Sequence, residues 1–158
     1  MRQVTVIGSD DPIPDGVREL AERLGRLLAE RGAVVICGGK GGVMRAVCKG
    51  AKEAGGLTVG IMPLGPEEAN EYVDVVISTY MGGARNVINV LSGDAVISVA
   101  GGAGTLSEIG FALKSGKRVI ALKGSGGVSD MLSGLELEGR RVIPAESVEE
   151  AVELALAP

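Results

Sequence analysis

Ala95-Val96-Ile97-Ser98-Val99-Ala100-Gly101-Gly102-Ala103-Gly104-Thr105-Leu106-Ser107-Glu108 runs an apolar pentapeptide into a glycine turn and then into a helical pattern. Residues 95–99 lack polar alternation, as strands buried on both faces do. Ile109-Gly110-Phe111-Ala112-Leu113-Lys114 after the turn reads as helix. A glycine turn at such a junction lets bare backbone N–H groups approach an anion, and the helix dipole adds a partial positive charge there. Glu108 then falls in the opening of the helix, close to whatever the loop holds. Thr105-x-x-Glu108 is also a capping box, in which the two side chains satisfy orphan backbone donors. Spacing alone leaves both readings open.

Working outward, the same strand–turn–helix pattern recurs. Gln3-Val4-Thr5-Val6-Ile7-Gly8 reads as a first strand ending at Gly8-Ser9. Asp15 is placed to cap a helix with apolar Val17, Leu20, Ala21, Leu24, Leu27 and Leu28 at helical spacing, closed by Gly32. Residues 33–37 form a second strand, followed by the turn Gly38-Gly39-Lys40-Gly41-Gly42 and a helix bearing Val43, Met44, Val47 and Ala51. Strands are expected at 57–61, 73–77, 94–99, 118–122 and 141–143. A loop at 62–72 is placed either to line a site or simply to connect. Residues 123–134, rich in Gly and Ser, read as a loop with a short helix, and Ser147-x-x-Glu150 is a capping box for a terminal helix.

Alternating strands and helices mean βαβ units and a parallel sheet. Right-handed crossovers put helices on both faces. The expected fold is α/β: one three-layer Rossmann-like domain spanning residues 1–158. Ligands of such sheets bind at the carboxyl ends of the strands. Gly8-Ser9, the 38–42 turn, the approach to Arg85 and Gly101–Gly104 all fall at such ends.

Composition narrows the chemistry. Hydrophobic residues make up 46% and aromatics 2% of the 158 residues, so the core is aliphatic. Net charge is −4, with no long basic run. Without clustered cations or stacking aromatics, no nucleic-acid partner is expected. There is no histidine, so Ser-His-Asp and Cys-His catalysis and histidine metal sites are excluded. Cys37 and Cys48 lack metal or redox spacing and read as small buried residues, so no metal is expected. With no signal peptide and no apolar run long enough to cross a membrane, a cytoplasmic setting and no membrane partner are expected. Gly38–Gly42 has a lysine but no following hydroxyl for a Walker A loop. Gly8-Ser9-Asp10-Asp11 does not supply the dinucleotide fingerprint.

Gly101-Gly102-Ala103-Gly104-Thr105-Leu106-Ser107-Glu108 resembles the PGGxGTxxE motif of the lonely-guy (LOG) family, with Ala100 in place of the proline. Gly38-Gly39-Lys40-Gly41-Gly42-Val43-Met44 resembles that family's GGxxGLM loop, Gly8-Ser9 its first turn, and Arg85 its arginine. The resemblance implies a Rossmann fold and a nucleoside 5′-monophosphate phosphoribohydrolase, not a lysine decarboxylase, with no cofactor required. Arg85 and Glu108 would be its catalytic pair. Gly101, Gly102, Gly104 and Thr105 would hold the 5′-phosphate, and Gly39, Gly41 and Met44 would shape the other wall. Lys40 would add charge near the phosphate or stand solvated. Asn86, where LOG enzymes carry lysine, makes Arg85-Asn86-x-x-Asn89 resemble the molybdenum-cofactor carrier branch instead. That alternative implies a phosphorylated pterin, the molybdenum cofactor, carried without turnover. Either branch implies a small phosphorylated ligand and a homo-oligomer, dimer or tetramer.

Overall fold

β1 (Gln3–Gly8) and β5 (Ala95–Val99) pair in parallel at the centre of the sheet, with Gly8 opposite Val99. A computed structural model of the chain describes residues 1–158. From β1 the chain builds outward through α1 (Asp15–Glu30), β2 (Val34–Cys37), α2 (Val43–Glu53), β3 (Thr58–Met62) and β4 (Val75–Ser78). It then crosses through α3 (Arg85–Ser92) to β5 and continues through α4 (Ala103–Lys114), β6 (Arg118–Leu122), α5 (Gly127–Leu132), β7 (Glu136–Leu137), β8 (Arg140–Ala145) and α6 (Val148–Leu156). The strand order is β4-β3-β2-β1-β5-β6-β8-β7. The winding therefore reverses between β1 and β5, and their carboxyl ends open a crevice where such sheets hold ligands.

The apolar runs explain the layers. Val4, Val6, Val35, Ile97 and Ile120 face one side, packed under α1, α2 and α6 through Leu24, Leu28, Val47 and Val152. Ile7, Val96 and Val119 face the other, under Val90, Ile109 and Ala112 of α3 and α4. Cys37 and Cys48 are both buried in the first layer, their sulfurs 3.5 Å apart.

Several expectations are corrected. The sheet is parallel except at one edge, where β7 pairs antiparallel with β8, and Glu136–Leu137 carries no strand pattern of its own. β4 begins at Val75, because Asp74 turns its carboxylate to the Thr58 N–H at 3.0 Å and Lys52 at 2.9 Å. Pro14, not Asp15, occupies the cap position of α1, and the Asp15 carboxylate instead accepts from Arg18 at 2.6 Å. The Thr105/Glu108 capping box does not form: Gly102 stands at the cap of α4 and no side chain caps it. Ser147 does cap α6, accepting from the Glu150 N–H at 3.1 Å.

Candidate functional site

The carboxyl ends of the strands enclose a cavity of about 590 Å³. Of the residues singled out from sequence, Gly8, Ser9, Lys40, Met44, Arg85, Asn86, Gly102, Gly104, Thr105 and Glu108 line it. Gly39, Gly41 and Gly101 are not among the residues that line it. Asp10, Asp11, Pro12, Gly82 and Gly83 also line it, as does Pro63 from the 62–72 loop, whose sequence leaves open lining a site or simply connecting.

The α4 end of the cavity is built for an anion. The first four N–H groups of a helix have no intrahelical partner. Here Gly102 to Thr105 carry them, with no capping side chain and no acid in the first turn. The turn is held from behind rather than by the ligand. The Gly101 N–H donates to Ser9 Oγ at 2.7 Å, so Gly101 serves as a brace and not as a free donor. Gly101 has φ +102°, and a Cβ there would sit 2.5 Å from the Thr105 side chain. Ala100, where the LOG motif has proline, has φ +52° and donates its N–H to Ser125 Oγ at 2.9 Å. Proline satisfies neither condition, with φ locked near −65° and no N–H. The departure at Ala100 therefore goes with its own backbone path. Ser129 Oγ donates to the Ala100 carbonyl at 2.7 Å, which gives the glycine- and serine-rich stretch around α5 a role its composition hides.

The opposite wall is the 38–42 turn. The Gly41 N–H donates to Asp10 Oδ1 at 3.1 Å, and the Gly39 N–H contacts the Cys37 sulfur at 3.3 Å. Lys40 Nζ lies 3.2 Å from Glu68 and 3.9 Å from Asp10, so its charge is shared with carboxylates at the rim. Asn70 from the 62–72 loop ties the turn down. Its backbone N–H donates to Gly39 O at 2.8 Å and its amide to Lys40 O at 2.8 Å. Asn70→Ala removes that amide. It is expected to cost about 1 to 2 kcal/mol and to speed amide exchange at residues 39–42 while leaving 101–105 protected, as hydrogen exchange would read.

Between the two walls stand Arg85 and Glu108. Arg85 opens α3 and reaches Gly38 O at 3.4 Å and the Asn86 amide oxygen. Its Nε is buried without a partner. Asn86 in turn donates to Ser107 Oγ at 3.3 Å, joining α3 to α4. Glu108 is buried and accepts from Asn89 Nδ2 at 2.8 Å. Asn89 is itself buried, its Oδ1 unpartnered, and its carbonyl accepts from Thr5 Oγ1 at 2.7 Å. Burial pushes the Glu108 carboxyl up to about 7, against the opposing pull of the Asn89 hydrogen bond and the Arg85 charge. No ion pair joins Arg85 to Glu108. The cavity therefore keeps a cation with no carboxylate partner and an unpartnered Nε, beside a carboxyl held at about 7.

The sequence marks Asn89 only as part of Arg85-Asn86-x-x-Asn89, with no partner indicated. Its partner Glu108 lies 19 residues on, and the pairing comes from the packing of α3 on α4.

The chain is similar to known proteins over most of its length. Residues 1–152 match the SLOG cluster4 family. A protein of Archaeoglobus fulgidus is 49% identical over 96% of this chain and 93% of its own length. The cytokinin riboside 5′-monophosphate phosphoribohydrolase of Mycobacterium tuberculosis is 34% identical over 67% of this chain and 59% of that enzyme. Among solved structures, the molybdenum cofactor binding protein of Rippkaea orientalis superposes with a TM-score of 0.88 at 39% identity, covering 97% of this chain and 94% of that one. The Moco carrier protein of Chlamydomonas reinhardtii gives a TM-score of 0.84 at 34% identity over 96% and 93%. DNA processing protein A of Helicobacter pylori, at 20% identity and a TM-score of 0.73 over 96% of this chain and 79% of that one, shares the fold.

Proposed function

The chain belongs to the SLOG cluster4 family, and we propose that its cavity binds a phosphorylated nucleotide-like ligand, a nucleoside 5′-monophosphate or molybdopterin. The phosphate would lie on the uncapped N-terminus of α4. One observation carries this reading: Gly102 to Thr105 present bare N–H groups, free of any acidic neighbour in the first turn, to the cavity that Arg85 lines. The dipole and the donors act together on an anion there, and the Thr105 hydroxyl adds one more hydrogen bond. The unpartnered Nε of Arg85, a residue that lines the cavity, fits a ligand that brings its own acceptor.

The Glu108 carboxyl, near 7, supports turnover, because a group titrating at the working pH can both take and return a proton. In that reaction a water oxygen bonds to ribose C1′ as Glu108 accepts its proton. The C1′–N bond breaks with its electron pair going to the base, to which Glu108 returns the proton. Free base and ribose 5-phosphate leave. Arg85 is permanently charged, so it holds the phosphate or the base and donates no proton. The second reading is a carrier that binds the molybdenum cofactor without turnover. Asn86 in place of the lysine of LOG enzymes favours it, as does the full-length likeness to two proteins named for that cofactor.

Incubation with AMP and other nucleoside monophosphates, with free base measured by chromatography, separates the two. Turnover predicts base release that Glu108→Gln lowers by about a hundredfold or more. Folded protein that releases no base but retains molybdopterin is the carrier's signature. Failure of both would sink the site. We further place the protein in the cytoplasm as a homo-oligomer, which the exposed Val75, Val76 and Ile77 of edge strand β4 support. No helix is long and apolar enough to cross a membrane.

A further inference from the structure

At the opposite end of the sheet lies a second cavity, of about 410 Å³, lined by Arg2, Lys117, Arg118, Arg140 and Arg141 around Asp94. In a parallel α/β fold the helices run back against the strands, so their negative C-termini gather at this edge. Three of the five cations meet those ends. Lys117 Nζ donates to Leu91 O at 3.0 Å and Gly93 O at 2.8 Å, closing α3. Arg140 donates to Leu113 O at 2.8 Å and Lys114 O at 2.6 Å, closing α4. Arg118 donates to Leu154 O and Ala157 O, each at 2.9 Å, and to Pro158 O at 3.1 Å, closing α6.

Those duties do not consume the charge. Each helix end carries about half a negative charge. Asp94, already bound to the Gln3 N–H at 2.8 Å, supplies one more. Five positive charges exceed these by between about two and three. None of the five cations has an Asp or Glu side chain within ion-pair distance, whereas eight other cations of the chain do. Arg2 and Arg141 are exposed, and their guanidinium groups have no hydrogen-bond partner. An uncompensated cationic cavity in a chain of net charge −4 calls for a ligand.

We propose that this cavity is a second anion site, distinct from the α4 site, which takes a di- or triphosphate chain between Arg2 and Arg141. Two guanidinium groups without partners, with three more cations beside them, match the several negative charges of a short polyphosphate. No aromatic side chain lines the cavity, so nothing there reads a base, and the phosphate chain itself is what is recognised. The cations ring a cavity and form no track for a strand of nucleic acid, which needs stacking platforms along a groove.

Inorganic tripolyphosphate titrated into the intact ¹⁵N-labelled protein tests this. The expected result is a set of amide shifts at residues 116–118 and 140–142, separate from any at 102–105 and weakened by added salt. The double variant Arg2→Ala/Arg141→Ala should weaken that set at least tenfold and leave the 102–105 set unchanged. Because neither side chain bonds to the fold, the variant's own spectrum should keep its dispersion, and Arg141→Gln alone should give a smaller loss in the same direction. Shifts confined to 102–105, or equal affinity in the double variant, would overturn the proposal. So would a single-stranded oligonucleotide that moves the 116–118 amides more tightly than tripolyphosphate.

Discussion

Glutamine in place of Glu108 is expected to raise the unfolding midpoint at pH 8 and leave it close to unchanged at pH 5. The carboxyl is held at about 7 in the folded protein against an ordinary value of 4.5, burial being the largest cause. Between those values the native state holds a proton that the unfolded chain has released. Stability therefore falls as pH rises from about 4.5 to 7 and is level above that. The gap corresponds to about 3 kcal/mol at pH 8, or roughly 6 to 12 °C for a domain of this size. Glutamine is neutral at both values, and its carbonyl still accepts from Asn89 Nδ2, so it removes the cost of the buried charge without leaving a hole. Calorimetry at the two pH values reads the difference directly. An equal gain at both would mean that burial does not hold the carboxyl up. The same substitution is expected to lower base release about a hundredfold or more if the protein turns over, so a proton-active group is retained at the expense of stability.

β2 and β5 were legible because they are buried on both faces. Val34-Val35-Ile36-Cys37 has no polar position, and Ala95–Val99 has only Ser98, which leaves no alternation to confuse them with another element. β4 slipped because Asp74 looked like part of an apolar run, and only its bonds to Thr58 and Lys52 show that it terminates the preceding loop. Glu136–Leu137 is a strand only by its pairing with Arg140 and Arg141. At the site, the glycine turns were readable from their position at strand ends, but the partners that hold them were not. Ser9 to Gly101, Asn70 to Lys40 and Ser125 to Ala100 join residues 92, 30 and 25 positions apart. Such pairs follow from the winding of the sheet and leave no local pattern.

Alanine at Gly50 or Gly25 is expected to destabilise the protein by about 2 kcal/mol or more, although alanine is the better helix former. Both glycines sit where α1 crosses α2. A Cβ on Gly50 would lie 1.8 Å from Glu22 O, and one on Gly25 would lie 1.9 Å from Val47 O. The obstructing atoms are helix backbone, which cannot swing aside as the tip of a side chain can. Relief requires the two helices to part. Overpacking of this kind costs about 1 to 3 kcal/mol or more and exceeds the propensity gain of up to about 1 kcal/mol. Gly110 on α4 is the control, since nothing lies within 4 Å of its Cβ position. There the propensity gain stands alone, and Gly110→Ala should stabilise by up to about 1 kcal/mol. Urea denaturation of the three variants should therefore show opposite signs for one chemical change. The consequence reaches the ligand site as well. The first residue of α2, Val43, donates its N–H to Ser9 O at 2.8 Å, and the 38–42 turn leads directly into it. Moving α2 outward loosens the wall that faces the α4 N-terminus, so Gly50→Ala should weaken phosphate binding even where the protein remains folded. A Gly50→Ala protein as stable as Gly110→Ala would mean that the two helices do not meet backbone to backbone.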